Sequence, residues 1–213
     1  MLPMISAVIL AAGESRRMGE QNKLLLPIGG EVLILKFVKS VCASDIDDVL
    51  VVVGHEAEKI KDILQGQPVR FVANPSYLVG MTTSIQSGVR AVSPESDGLL
   101  ICLSDMPFAE TSDFNCLIHA FNDFRLPESS LIVVPVFQEK RGNPVLFSRE
   151  FREKILQHKG EGCRGILQEY PQCVMEVMME NDNVFRDVDT PEDYVLNSRS
   201  KRYLYKKNVH RIF

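Results

Sequence analysis

The chain predicts an α/β domain of three layers, a mostly parallel mixed sheet between helices on its two faces. Short runs of β-branched residues and leucine alternate along it with segments whose apolar residues recur at helical spacing, the rhythm of strand–helix–strand units. Several of those runs, such as Val49–Val53, carry no polar residue at all, as strands buried on both faces do. The composition, 45% hydrophobic and 24% charged, is that of a soluble globular chain, and 213 residues suit one domain of this class.

The elements follow in order. Met4–Leu10 is a strand that stops at the small residues Ala11, Ala12 and Gly13. Val32–Ala43 reads as a helix, Val49–Val53 as the second strand, Glu56–Leu64 as a short amphipathic helix and Val69–Val72 as the third strand. Thr83–Val92 is helical, Gly98–Leu103 a fourth buried strand, and a helix lies near Asp113–Phe124. Leu131–Phe137 and Pro144–Phe147 read as a strand pair joined by the polar turn Gln138–Gly142, which breaks the rhythm and mixes the sheet at one edge. Helices at Arg149–Gln157 and Arg164–Tyr170, strands at Cys173–Val177 and Val184–Val188, and a helix opening at Pro191–Leu196 complete the pattern. No linker or repeat divides residues 1–197, while 198–213 form an extension in which Tyr203, Leu204, Tyr205, Ile212 and Phe213 interleave with six basic residues. That tail packs on the domain, frays, or docks a partner.

Composition also excludes. No apolar run approaches the roughly 18 residues of a membrane helix. A formal charge of −4 and a pI near 5.6 argue against a general nucleic-acid surface. Five cysteines without a C-x-x-C point away from zinc and disulfides and toward a reducing cytoplasm. Arginines follow the first apolar run and none precedes it, the wrong order for a secretory signal. A P-loop lacks its Gly-Lys-Ser/Thr and a dinucleotide fingerprint its three glycines.

What remains after the first strand is a loop of unobstructed backbone amides, Gly13 onward, with Arg16, Arg17 and Lys23 adding positive charge. Such a concavity suits a phosphate-rich ligand. Ligands in open α/β sheets sit beyond the carboxyl ends of the strands. There the fourth strand delivers Ser104-Asp105-Met106-Pro107, and the late strand delivers Asp187-Val188-Asp189. Thr190, Pro191 and Asp193 already supply a helix cap, so Asp189 is surplus to local structure. Asp105 and Asp189 together suit Mg²⁺, which takes one or two carboxylates plus substrate phosphates. Gly80 opens a helix whose first turns carry Thr82, Thr83 and Ser84, more hydroxyls than one cap requires. The four histidines share no spacing; His55 alone follows a strand toward the same edge.

Taken together, Leu10-Ala11-Ala12-Gly13-x-Ser15-x-Arg17-Met18-Gly19, Asn22-Lys23-Leu24-Leu25, Gly80-Met81-Thr82-Thr83-Ser84, Asp105-Met106-Pro107, Gly142-Asn143-Pro144-Val145 and Asp187-Val188-Asp189-Thr190-Pro191-Glu192-Asp193 resemble the molybdenum cofactor cytidylyltransferase group of the MobA-like nucleotidyltransferases. The match runs in order from Ile5 to about Tyr194. The Leu-Ala-Ala-Gly loop alone is shared with sugar-nucleotide and isoprenoid cytidylyltransferases; the other segments point to the cofactor branch.

The resemblance implies a Rossmann-like nucleotidyltransferase fold. It implies a nucleotide site of Leu10, Ala11, Ala12, Gly13, Glu14, Ser15, Arg17, Met18, Gly19, Lys23, Gly80, Thr83, Ser84, Ser104 and Asp105. Lys23, Arg17 and Asp105 would be catalytic, Asp105 and Asp189 would hold Mg²⁺, and Gly142, Asn143, Pro144 and Arg164 would face the acceptor. The implied reaction moves CMP from CTP to the terminal phosphate of a molybdopterin cofactor and releases pyrophosphate. GTP as donor, another small phosphate acceptor, or a chaperone delivering cofactor to a molybdenum hydroxylase are the alternatives, in a monomer or weak oligomer. One segment departs: the family's late Gly-Asp-x-Gly-Ala-Arg reads Gly160-Glu161-Gly162-Cys163-Arg164 here, one residue shorter.

Overall fold

The computed structural model describes residues 3–19, 21–126 and 129–198. Its strands are β1 (Ile5–Ala11), β2 (Pro27–Ile28), β3 (Glu31–Val32), β4 (Asp48–Val53), β5 (Arg70–Ala73), β6 (Gly98–Leu103), β7 (Ile132–Phe137), β8 (Lys140–Arg141), β9 (Val145–Ser148) and β10 (Val174–Met178). The helices are α1 (Leu33–Cys42), α2 (Ala57–Ile63), α3 (Met81–Ala91), α4 (Thr111–Phe124), α5 (Arg152–Gln157), α6 (Arg164–Glu169) and α7 (residues 191–198).

The large sheet runs β10-β7-β9-β6-β1-β4-β5, and every pairing on that path is parallel except those of β9. The sequence-level expectation of a mostly parallel mixed sheet holds. β1 is the centre. Its odd-numbered side chains Ile5, Ala7 and Ile9 meet α1, α2 and α4 through Phe37, Ile60 and Phe114, in one core. Val8 on the other face meets α3, α5 and α6 through Ile85, Val89, Ile155 and Ile166. Burying each such side chain contributes about 1.5–3 kcal/mol, which is why strands with two apolar faces end up between two helical layers. Helix α3 lies so close that a Cβ on Gly88 would sit 2.2 Å from Val8 Cγ1.

From β1 the chain moves to β4 and β5 on one side, then returns to β6 on the other. The crevice between the carboxyl ends of β1 and β6 is therefore a topological switch point. Beyond β6 the hairpin expected around Gln138–Gly142 is present. β7 and β8 pair with Gln138 and Glu139 in the turn at φ 48° and 65°, the left-handed geometry of tight hairpins. Gly142 N still donates to Pro135 O at 2.9 Å, and pairing resumes in a shifted register at Val133 and Leu146, so the ladder is interrupted at Asn143 and Pro144.

One expected strand is absent. Val184–Val188 is a 3₁₀ turn, Asn183–Phe185, followed by an irregular strap. Val184 and Val188 bury their side chains four residues apart, and Phe185 N donates to Asp182 O, which curls the backbone out of strand geometry. The strap makes one bond to the neighbourhood of the sheet, Val188 N to Asp105 O at 3.0 Å, in place of a ladder. Phe185 packs against Phe137, and Arg186 lies 3.9 Å over the ring of Phe108. Past the strap Thr190 and Asp193 cap α7 reciprocally, Asp193 N donating to Thr190 Oγ1 (3.2 Å) and Thr190 N to Asp193 Oδ2 (2.9 Å). Helix α7 is described as far as residue 198, and the rest of the basic and aromatic extension lies outside the described residues.

Candidate active site

The loop after β1 is shaped by a few local bonds. Ser15 takes a left-handed conformation (φ 52°, ψ 37°), and its Oγ accepts from Lys23 N at 3.2 Å. Asn22, almost fully buried, caps the 3₁₀ turn Lys23–Leu25 by accepting from Leu24 N at 3.1 Å, and Leu24 is buried beside it. The turn is thus anchored beneath while Lys23 projects across the crevice. On the facing side Ser104 Oγ donates to Leu10 O at 2.7 Å, which ties the ends of β6 and β1 together.

At that junction Lys23 Nζ lies 2.6 Å from Asp105 Oδ2 and 2.7 Å from Asp189 Oδ1, and Arg17 reaches Asp189 Oδ2 at 2.7 Å. Burial works against the Lys23 ammonium, but the two carboxylates outweigh it and hold its pKa above the ordinary lysine value. Asp187 stands close by. Burial first, and the charges of Asp189 and Asp105 second, raise its carboxyl above the usual range. The other oxygen of Asp105, Oδ1, is buried without a hydrogen-bond partner among the described residues. Two cations and three carboxylates are thus gathered where the strands end.

Two clefts meet here. The smaller, about 390 Å³, is lined by Leu10, Ala12, Gly13, Glu14, Ser15, Arg17, Lys23, Gly80, Ser84, Ser104, Asp105 and Asp189, all marked out by the sequence reading. The larger, about 1300 Å³, is lined by Gly142, Asn143 and Arg164 and by Thr83. Leu10, Gly80, Met81 and Leu103 belong to both and form the wall they share. Four of the residues marked out lie elsewhere. Ala11 and Met18 are buried in the fold, and neither Gly19 nor Pro144 lines a cleft.

Sequence reasoning missed several contributors. Tyr77 and Leu78 line the smaller cleft, beside Arg16, which the sequence had marked for its charge and which bridges to Glu14 at 2.7 Å. Asn74 is buried behind α3, its amide donating to Thr83 Oγ1 (3.0 Å) and Ser84 Oγ (2.9 Å). The signal was available: Asn74 follows the carboxyl end of β5, the edge where the other residues cluster. His55 does not reach either cleft; its backbone N–H donates to Ala12 O at 3.1 Å.

The class follows from fold and site. An anion loop at the switch point of a mostly parallel sheet, facing a Lys–Asp–Asp cluster, marks a nucleotidyltransferase. The chain belongs to the MobA-like NTP transferase domain family, whose model matches residues 7–174. It is 34% identical over 210 residues to the purine catabolism protein PucB of Bacillus subtilis, covering 93% of this chain and 98% of that one. It is 27% identical over 196 residues to nicotine blue oxidoreductase of Paenarthrobacter nicotinovorans, covering 90% and 95%. Among solved structures, a nucleotidyl transferase from Methanothermobacter superposes with a TM-score of 0.79 at 23% identity over 95% of this chain and 99% of that one. A Mycobacterium tuberculosis protein in complex with manganese superposes with a TM-score of 0.76 at 21% identity, over 92% and 99%. Among the described residues no helix is long and apolar enough to cross a membrane.

Proposed function

We propose that the protein transfers CMP from CTP to the terminal phosphate of a molybdopterin-type cofactor and releases pyrophosphate. The observation that carries this reading is the shared wall. A cleft of about 390 Å³ that holds Arg17 and Lys23 opens beside one of about 1300 Å³, far more room than a small sugar phosphate needs and ample for a fused pterin.

In the smaller cleft the amides of Gly13–Ser15 receive the triphosphate, with Arg17 and Lys23 on its β- and γ-phosphates. The base and ribose lie along Gly80 and Ser84. Gly142, Asn143 and Arg164 hold the acceptor so that its phosphate oxygen faces the α-phosphorus. A bond forms from that oxygen to the α-phosphorus, the bond to the β-phosphate breaks, and both electrons leave with pyrophosphate. No side-chain nucleophile is needed, since a phosphate dianion is one already; positioning and charge neutralisation dominate. Asp105 and Asp189 would hold Mg²⁺, and the unpartnered Asp105 Oδ1 fits a cation ligand. When bound, the ion supplies neutralisation of the triphosphate charge. The manganese complex of the mycobacterial protein supports a divalent ion in this fold. Arg17 and Lys23, which bridge to these carboxylates, would then be available to phosphate.

The test is a panel of CTP, GTP, ATP and UTP, each with molybdopterin, read by pyrophosphate release. Release with CTP well above the others supports the assignment. Preference for GTP moves the activity to guanylyl transfer, and release with none of the four abandons it.

A further inference from the structure

The three hydroxyls at the start of α3 are not equivalent. Thr83 and Ser84 are tied to Asn74, behind the helix, whereas Thr82 reaches forward to the loop between α5 and α6. Its Oγ1 donates to Gly160 O and accepts from Gly162 N at 3.1 Å, so one side chain closes both ends of the turn Gly160-Glu161-Gly162. Gly162 sits at φ +57°, a conformation open to glycine, in the turn just before α6. The same helix grips the base of the loop, Gln86 Nε2 donating to Leu156 O (3.0 Å) and His158 O (2.9 Å). The His158 ring fills the space beneath; a Cβ on Gly160 or Gly165 would come within 2.6 Å of it. This loop and Arg164, which follows it, form one side of the larger cleft.

We propose that Thr82 is a positioning residue for the acceptor: it sets the Gly160–Arg164 loop, and through it the acceptor's affinity, without contributing to nucleotide affinity. The inference rests on the larger cleft being the acceptor site. Loss of the hydroxyl frees the Gly162 amide and lets the loop drift, while Gly80, Ser84 and the anion loop keep their own bonds.

The experiment uses the full chain as wild type, Thr82→Val, Thr82→Ala and Thr82→Ser. Hydrogen exchange at Gly160–Arg164 is measured without ligands, CTP affinity without acceptor, and the KM for molybdopterin at saturating CTP. Thr82→Val and Thr82→Ala, with thermal midpoints checked, are expected to speed exchange of the Gly162 amide about tenfold, the loss of one ordinary hydrogen bond. They should raise the molybdopterin KM several-fold and leave CTP affinity within twofold, and Thr82→Ser should restore both properties. Unchanged exchange, or a CTP affinity that falls as far as the molybdopterin KM rises, overturns the proposal. If the wild type moves no nucleotide onto molybdopterin, the proposed function is what fails, and the exchange rates alone still decide whether Thr82 sets the loop.

Discussion

Lys23 sits between two carboxylates that outnumber it, and the arrangement makes unequal demands on its members. Asp105 and Asp189 each place one oxygen on Lys23 Nζ, but Asp105 keeps a second, buried oxygen free. Asp105→Asn and Asp189→Asn should each slow turnover by about 10²–10³-fold, the effect of losing about 3–4 kcal/mol of transition-state stabilisation. Circular dichroism and thermal melting should report an intact fold. Near-normal turnover at limiting Mg²⁺ would remove that residue from the proposed metal site. The two neighbouring arginines separate similarly. Arg17 bridges to Asp189 across the crevice, whereas Arg16 folds back onto Glu14 within its own loop. Arg17→Ala should therefore weaken CTP far more than cytidine, and Arg16→Ala should do so much less, by isothermal titration. Equal losses would mean that the loop presents both side chains to phosphate. At this scale much was legible in the residues. Lys23 was marked by its charge in the loop after β1, Asp105 by following a buried strand, and Asp189 because Thr190, Pro191 and Asp193 already supply the cap. The separate role of Thr82 among the three hydroxyls was not legible, because its partners at Gly160 and Gly162 lie about 80 residues away and only the fold brings them together.

Elements were read well wherever burial on two faces left one interpretation. Gly98–Leu103 falls on β6 end to end, and Val49–Val53 falls within β4. The strap at 184–188 was misread because its valines carry β-branched character but not period-two burial; contacts with Asp105 and Phe108, far off in sequence, decide its path. Two element-scale consequences can be measured. Gly88→Ala puts a methyl 2.2 Å from Val8 Cγ1, so Val8 or α3 must shift. It should cost about 1–3 kcal/mol in urea denaturation, an overpacking effect in spite of alanine's better helix propensity. An unchanged midpoint would show that α3 rides freely on β1. In α4, Asp113 accepts from Glu110 N at 2.8 Å in a capping box, yet burial raises its carboxyl above the ordinary value despite that bond. The folded chain therefore binds its proton more tightly than the unfolded one. Its contribution to stability is complete below the ordinary aspartate pKa, about 3.9, and is lost as pH rises through the raised folded value. The stability of wild type relative to Asp113→Asn, which keeps an acceptor for the cap, should fall across that window. A flat difference would contradict the buried-carboxyl reading.

For the whole molecule, the decisive feature is that one sheet edge serves two clefts. The switch point between β1 and β6 supplies the smaller side with Lys23, Arg17 and their aspartates, and the bulged hairpin with the α5–α6 loop supplies the roomier side. The first was legible because the rule for open sheets collects strand-end residues without needing coordinates. The size of the second was not, because it depends on where Asn143 and Pro144 interrupt the ladder and on where the glycine loop is held. The measurement that bears most directly on the account follows the label of CTP carrying ³²P at either the α or the γ position, incubated with molybdopterin, Mg²⁺ and the protein. The α label is expected on the pterin product and the γ label in pyrophosphate, both about 10²–10³-fold more slowly in the Asp105→Asn variant. Appearance of the γ label on the pterin, or an α label that stays in free nucleotide while the acceptor is consumed, would contradict nucleotidyl transfer across the shared wall.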